Sequence, residues 1–316
     1  MNIKNKIILP FNYMRYFYNY YISLYSKVSI LLYHRVSPEY INNPYGNFVS
    51  LDKFEYQISF IKNKYNIISL HELHNIIINN NIPKDHKIVI TFDDGYIDNY
   101  KYAFPILSKY SIPATIFLLS DYINSNETVW DWNLYKIIYQ SNCIEKITEL
   151  DFPVGIFSQN KKELLWNLVN YFKYIKPSTR KDCIKKISDK LLINDYNFNE
   201  NRIMNWDEIK EMSKNLIDFG SHGCSHTSFL NQDNHFVDCE LLKSKEIIEN
   251  NLKKKCNFFS FPFGSKNDFS NDLINKVLKI YDISLLNIYG TNIIRSNNFF
   301  FNRIIMQDHT NPRILF

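Results

Sequence analysis

Along the chain, short and almost wholly apolar runs alternate with longer stretches in which apolar residues recur every three or four positions. The runs at 28–33, 65–69, 87–92, 114–119, 217–221, 257–261 and 299–306 are rich in Val, Ile, Phe and Tyr. They are too short for helices and predict strands. Their continuous apolar character points to parallel strands covered on both faces. Between them, spacing such as Phe54, Ile58 and Ile61 predicts helices over 52–62, 71–78, 99–110, 204–212 and 239–252. Strands that alternate with helices make an α/β chain with a parallel sheet.

Residues 124–203 break this rhythm. They open on Val129-Trp130-Asp131-Trp132 and continue as Lys- and Glu-rich helical pattern around 134–139, 162–174 and 180–192. With no internal repeat and no long linker, the economical organisation is one domain over 29–316 that carries this helical insertion. Ahead of it lies an aromatic-rich extension, 1–28. Its stretch 11–25 is aromatic on nearly every side, and either a membrane interface or a helix packed on the domain would suit it. No signal-peptide apolar core follows the basic start, and no run approaches the ~18 apolar residues of a membrane span.

Composition narrows the classes further. In 316 residues the net charge is +5 and the only tight basic run is Lys253-Lys254-Lys255, which reads as a solvated face. Nucleic acid is therefore excluded as a partner; a weak attraction to anionic membrane surfaces or acidic glycans stays open. The five cysteines are odd in number and lack metal-type spacing, which points to a reducing compartment and a cytoplasmic location, with peripheral association at the inner membrane surface left open. Oligomeric state is not legible.

Candidate chemistry gathers at the strand ends. The run at 87–92 delivers Asp93 and Asp94 to its carboxyl end, with Gly95 to turn the chain. Alone, Asp-Asp-Gly is also an ordinary turn. Far along the chain, His222 and His226 are four apart, a spacing that puts both imidazoles on one face of a helical turn; a pair of surface histidines is the alternative. Two His and one Asp are the ligand set of a catalytic zinc with an open fourth position. Cys224, between them, is expected to point off their shared face and to be structural. The 28–33 run brings His34 to the same kind of strand end.

Three motifs in order carry a family resemblance: Thr91-Phe92-Asp93-Asp94-Gly95-Tyr96, then Ser221-His222 with His226, then Phe261-Pro262-Phe263-Gly264. Tyr33-His34 and Ile112-Pro113-Ala114-Thr115 support them. From about residue 29 to about 305 the sequence resembles a polysaccharide deacetylase, a carbohydrate esterase with the nodulation-protein deacetylase domain, in a subgroup with an early Tyr-His pair and a helical insertion. The resemblance implies an irregular (β/α) barrel and metal-dependent removal of N-acetyl groups from an amino sugar of a glycan. It implies Asp94, His222 and His226 as ligands of a divalent ion, Zn2+ by donor type, and Asp93 as general base. A backbone N–H in the Pro262-Phe263 turn would meet the oxyanion. The general acid is His34, or His309 as second choice, because the family's late His motif is not evident. Ser260 stands where many members carry an Arg. Trp130 is a candidate for stacking on a sugar face, against a core role. A carbohydrate-binding relative without catalysis, or a hydrolase of a formyl-sugar or cyclic ureide, are the alternatives.

Overall fold

The computed structural model describes residues 27–125, 127–193, 201–295 and 298–315. Seven strands form a closed parallel barrel: β1 (Lys27–Tyr33), β2 (Lys87–Phe92), β3 (Ala114–Leu118), β4 (Ile217–Ser221), β5 (Phe258–Ser260), β6 (Ile283–Tyr289) and β7 (Phe300–Ile305). Each pairs with its successor, and β1 pairs with both β2 and β7 to close the ring. Closure leaves the ring no free edge. The expected irregular (β/α) barrel is therefore the fold.

Alternation along the strands divides the core in two. Ile30, Val89, Phe117, Phe258, Leu285 and Phe301 form one cluster with Leu70, Leu73 and Ile77. The last three belong to helix Leu70–Ile78, whose start is fixed by a capping box between Ser69 and Glu72. Residues of opposite parity, such as Leu31, Ile88, Ile90 and Ile116, pack instead with Phe54, Ile58 and Ile61 of helix Leu51–Lys64 in the larger cluster. The registers bring the carboxyl ends to one rim: Tyr33 lies opposite Phe92, Leu118 opposite Ser221, and Leu32 opposite Ile305.

Three differences from the sequence pattern stand out. The pattern assigns nothing to 265–298, yet this stretch holds helix Asn271–Leu278 and the whole of β6. The stretch 99–110 begins with a π-helical turn, Asn99–Ala103, before helix Phe104–Lys109; Pro105 has no N–H to donate and so disfavours a regular ladder there. Helix Asn234–Leu252 starts earlier than 239 because Asp233 caps it, accepting from the Phe236 amide.

Within the region expected as an insertion, α1 (Trp130–Gln140), α2 (Lys161–Phe172) and α3 (Pro177–Leu191) pack on one another through Leu134, Ile138, Leu165, Leu168, Ile184 and Ile187. The segment 194–200 within it, and nearly all of the aromatic-rich extension, 1–26, lie outside the described residues. No helix among the described residues is long and apolar enough to cross a membrane.

Gly220, in β4, shows how tight the barrel wall is. A Cβ there would lie 2.5 Å from the Phe117 ring and 2.8 Å from the Phe258 carbonyl oxygen. Gly220→Ala is expected to cost roughly 1–3 kcal/mol through overpacking, measured as a lowered urea midpoint with an unchanged m-value.

Candidate active site

The site is assembled from the residues that follow the strands. The Asp93 amide donates to the Tyr33 carbonyl at 3.1 Å, continuing the β1–β2 ladder by one rung, and the His222 amide does the same to Leu118 at 2.9 Å. Beyond those rungs the backbone turns sharply. Asp94, His226 and Phe263 have φ of 70°, 53° and 60°, a left-handed conformation that costs a non-glycine residue and is tolerated where the surroundings over-determine it.

Those turns bring three of the expected residues together. The ligating atoms of Asp94, His222 and His226 all lie within 4.8 Å of one another; Asp94 Oδ1 is 3.5 Å from His222 Nε2 and 3.7 Å from His226 Nε2. The histidines converge differently from expectation. They lie on an irregular loop rather than a helical turn, bent at Gly223 (φ 79°) and at His226 itself. Glu240 braces that loop, accepting from the amides of Cys224 and Ser225 at 2.7 and 3.1 Å and from the Ser225 hydroxyl at 2.6 Å. Cys224 is buried, with its thiol directed to the Glu240 carbonyl, in keeping with a structural role.

The electrostatics suit a cation. Burial, with Asp131 and Asp93 nearby, pushes the Asp94 carboxyl well above the usual carboxylate range, and its Oδ1 is buried without a hydrogen-bond partner. Burial also pulls both imidazoles below the usual histidine value, His226 furthest. Unprotonated imidazole nitrogens and an orphaned carboxylate oxygen are the donor set a divalent ion takes up, and two nitrogens with one oxygen fit zinc. His222 Nδ1 is engaged by the Ser260 carbonyl at 2.7 Å, which turns Nε2 towards Asp94.

Asp93 is held apart from that trio. Arg303, fully buried in β7, donates through both terminal nitrogens to Asp93 Oδ1 and Oδ2 at 2.8 and 2.6 Å, and to Ser260 Oγ at 2.9 Å. Ser260 Oγ in turn reaches Asp93 Oδ2 at 3.2 Å. Burial alone would raise the Asp93 pKa; the Arg303 charge and hydrogen bonds, with His222 and His34, outweigh it and hold the carboxyl well below its ordinary range. Arg303 supplies from another strand the guanidinium that the motif around Ser260 lacks, and it donates to the Ser260 hydroxyl. The strand pattern over 299–306 gave Arg303 no role; an Arg inside a buried strand was the available signal.

His34 lines the same cavity as Asp93, Asp94, His222 and His226, a cleft of about 440 Å3. Burial pulls its pKa down to about 4. His309 is exposed on a turn and does not line that cavity; its neighbour Asp308 accepts from the amide and hydroxyl of Ser50, the cap of helix Leu51–Lys64, so the turn serves packing. Phe263 lines the cleft and stacks on His226 at 4.5 Å and 24°. Its amide has no acceptor among the described residues, whereas the Gly264 amide closes the turn on Pro262.

Trp130 is buried, not open to the cleft. Its Nε1 donates to the His226 carbonyl at 2.8 Å, the Arg180 guanidinium covers its ring at 4.5 Å, and Phe263 packs at 6.1 Å. Arg180 also donates to the Ser225 carbonyl at 2.6 Å and to Thr227 Oγ1 at 3.0 Å. Asp131 Oδ2 stands 3.7 Å from His226 Nδ1, and burial lifts its pKa to about 6. The insertion thus grips the loop that carries His226, a role its composition did not reveal.

Removing Arg303 isolates the consequence of the Asp93 pair. In the native chain the folded pKa of Asp93 is below its unfolded value of about 3.9, so the stabilisation is present at neutral pH and lost only in acid. In Arg303→Met the largest influence opposing burial is gone, and the pKa rises. The variant is expected to lose about 3–5 kcal/mol at pH 7 and visibly less at pH 5, read from urea unfolding at the two pH values.

Comparison with known proteins agrees with this geometry. A family model described as polysaccharide deacetylase matches residues 80–163 and 186–279, together more than half of the chain. YxkH of Bacillus subtilis (strain 168), a protein classed with the polysaccharide deacetylases, is 30% identical over 126 residues, which are 39% of this chain and 43% of that relative; the matched stretch is thus under half of the relative's length. The fold is similar to that of the Streptococcus pyogenes deacetylase PplD in complex with acetate (TM-score 0.59, 17% identity, 91% of this chain and 95% of that one). It is similar too to that of BC0361, a polysaccharide deacetylase from Bacillus cereus (TM-score 0.58, 19% identity, 91% and 67%), and of IcaB from Ammonifex degensii (TM-score 0.58, 15% identity, 89% and 92%). The barrel, the three motifs at its rim and the matched family model establish that the chain belongs to the polysaccharide deacetylase family.

Proposed function

We propose that the protein is a metal-dependent hydrolase that removes N-acetyl groups from amino sugars of a glycan. The observation that carries this reading is the meeting of Asp94, His222 and His226 within 4.8 Å, with Asp93 Oδ2 separately tethered 3.9 Å from His222 Nε2. Bound there, a zinc ion would supply Lewis acidity, polarising the amide carbonyl and making water a stronger acid.

The chain's own groups divide the remaining work. Asp93, kept ionised by Arg303, is oriented to accept a proton from the attacking water. The Phe263 amide, with no acceptor among the described residues, meets the developing oxyanion; one such donor is typically worth about 3–4 kcal/mol. His34, drawn down to about 4 by burial, is neutral at rest at pH 7. It protonates the leaving nitrogen only after receiving the proton taken from water, so it acts as a relay rather than as a standing acid.

Asp131 Oδ2 faces His226 Nδ1 at 3.7 Å, outside hydrogen-bond distance, and is placed to orient the imidazole through its charge. A carboxylate facing the second nitrogen of a ligating imidazole fixes its tautomer and raises its basicity, and losing such a partner typically costs about 10- to 100-fold in metal affinity. Asp131→Ala is expected to weaken zinc binding by that factor in a competition titration, with Asp131→Asn intermediate.

Acetate release from N-acetylated oligosaccharides tests the activity. It is expected to stop with chelator and to return with zinc, and to fall at least about 100-fold in Asp93→Asn while zinc still binds. His34→Ala should lower kcat far more than zinc affinity; unchanged kcat would reject the relay. Failure of the intact chain to release acetate with zinc present would overturn the hydrolase reading.

A further inference from the structure

We infer that the cavity-facing side of α2 is a sugar-binding wall, on which Trp166 and Asn170 hold the ring next to the acetamido sugar under attack. The part of this about substrate rests on the deacetylase reading above; the binding wall does not.

Helix α2 has two working faces. Leu164, Leu165, Leu168 and Phe172 are buried in the insertion's core. Trp166, Val169 and Asn170, with Lys173 at the cap, are spaced i, i+3, i+4 and i+7 and line the cleft that also holds Asp93, Asp94 and the histidines. A solvent-facing helix side ordinarily carries charged residues. Here Val169 is buried and Lys173 is buried against Asp268, and the two positions left open are an indole that is 37% exposed and an exposed Asn.

The wall is continuous with the site. Lys173 Nζ pairs with the fully buried Asp268 at 2.8 Å and lies 5.3 Å from the Phe263 ring centroid, and Phe263 stacks on His226. From that inner end to Trp166 the path runs about 10 Å along the helix at 1.5 Å per residue, longer than one pyranose ring. Trp166 is also pre-set. Tyr45 packs against it edge-on at 5.4 Å and 89°, and the Tyr45 hydroxyl is anchored on the Asp131 carbonyl at 2.8 Å. A pyranose offers an apolar C–H face with hydroxyls around its rim. An indole held at a fixed angle takes the face, and the Asn170 amide, a donor and an acceptor together, suits the rim. A sugar whose acetamide lies beside His226 and Phe263 leaves Trp166 for the next ring outward.

The test compares N-acetylglucosamine with its tetrasaccharide. In Trp166→Ala the ratio of kcat/KM for the tetrasaccharide to that for the monosaccharide is expected to fall about tenfold, equivalent to about 1.4 kcal/mol, through KM rather than kcat, and Trp166→Phe should restore most of it. Calorimetry with the deacetylated tetrasaccharide, which is not turned over, should show the same tenfold weakening. An unchanged ratio and an unchanged Kd in Trp166→Ala would overturn the inference, as would a native chain that binds one ring as tightly as four. Should the calorimetric effect appear in a native chain that releases no acetate, the wall stands and only the hydrolase reading falls.

Discussion

Arg303 and Asp93, 210 residues apart in the chain, form a two-pronged pair inside the barrel. Neither is affordable alone, since an unpaired buried charge costs several kcal/mol. The pair forms only if β7 has returned beside β1 and closed the ring, so the geometry of the Asp93 carboxylate depends on completed topology. Ser260 belongs to the same constraint. Its hydroxyl bonds both partners and its carbonyl turns His222, so one residue of β5 sets the orientation of the proposed proton acceptor and of a candidate ligand.

Around that pair the carboxylates are sorted by environment. Asp93 is neutralised by a guanidinium. Asp94, a residue later, has none within bonding reach among the described residues, and the neighbouring charges of Asp131 and Asp93 add to its burial in resisting ionisation. Two adjacent residues of one type are thereby given opposite demands, one already satisfied and one calling for positive charge from outside the chain. The left-handed backbone at Asp94 makes the separation possible by sending the two side chains to different neighbours.

Much of this was legible in the sequence. Six of the seven barrel strands announce themselves as apolar runs, and the three rim motifs name the residues that converge. What escaped has physical reasons. β6 is interrupted by Ser284 and Asn287 and followed by polar residues, so its strand character is diluted. The histidine loop satisfies a one-face spacing by a route that is not helical, because Gly223 and the positive φ of His226 redirect the chain, and such bends leave little periodic trace. Arg303 substitutes in space for a residue expected at another sequence position, which local pattern cannot register. The Trp130-Asp131-Trp132 triplet was visible, but its pattern left Trp130 open between stacking on a sugar face and a core role. Its work is internal: an indole N–H and a buried guanidinium from α3 hold the carbonyls beside His226.

That internal work bears on how the region between β3 and β4 is to be regarded. Were it an ornament on a self-sufficient barrel, trimming it back would leave a smaller protein with the same rim. Here the His226 carbonyl would be stripped of the Trp130 and Arg180 donors and its ring of the Asp131 carboxylate, and a residue in an unfavourable backbone conformation would relax away from Asp94. The excursion is thus part of the site's foundation, and a minimal version of this protein has to keep it.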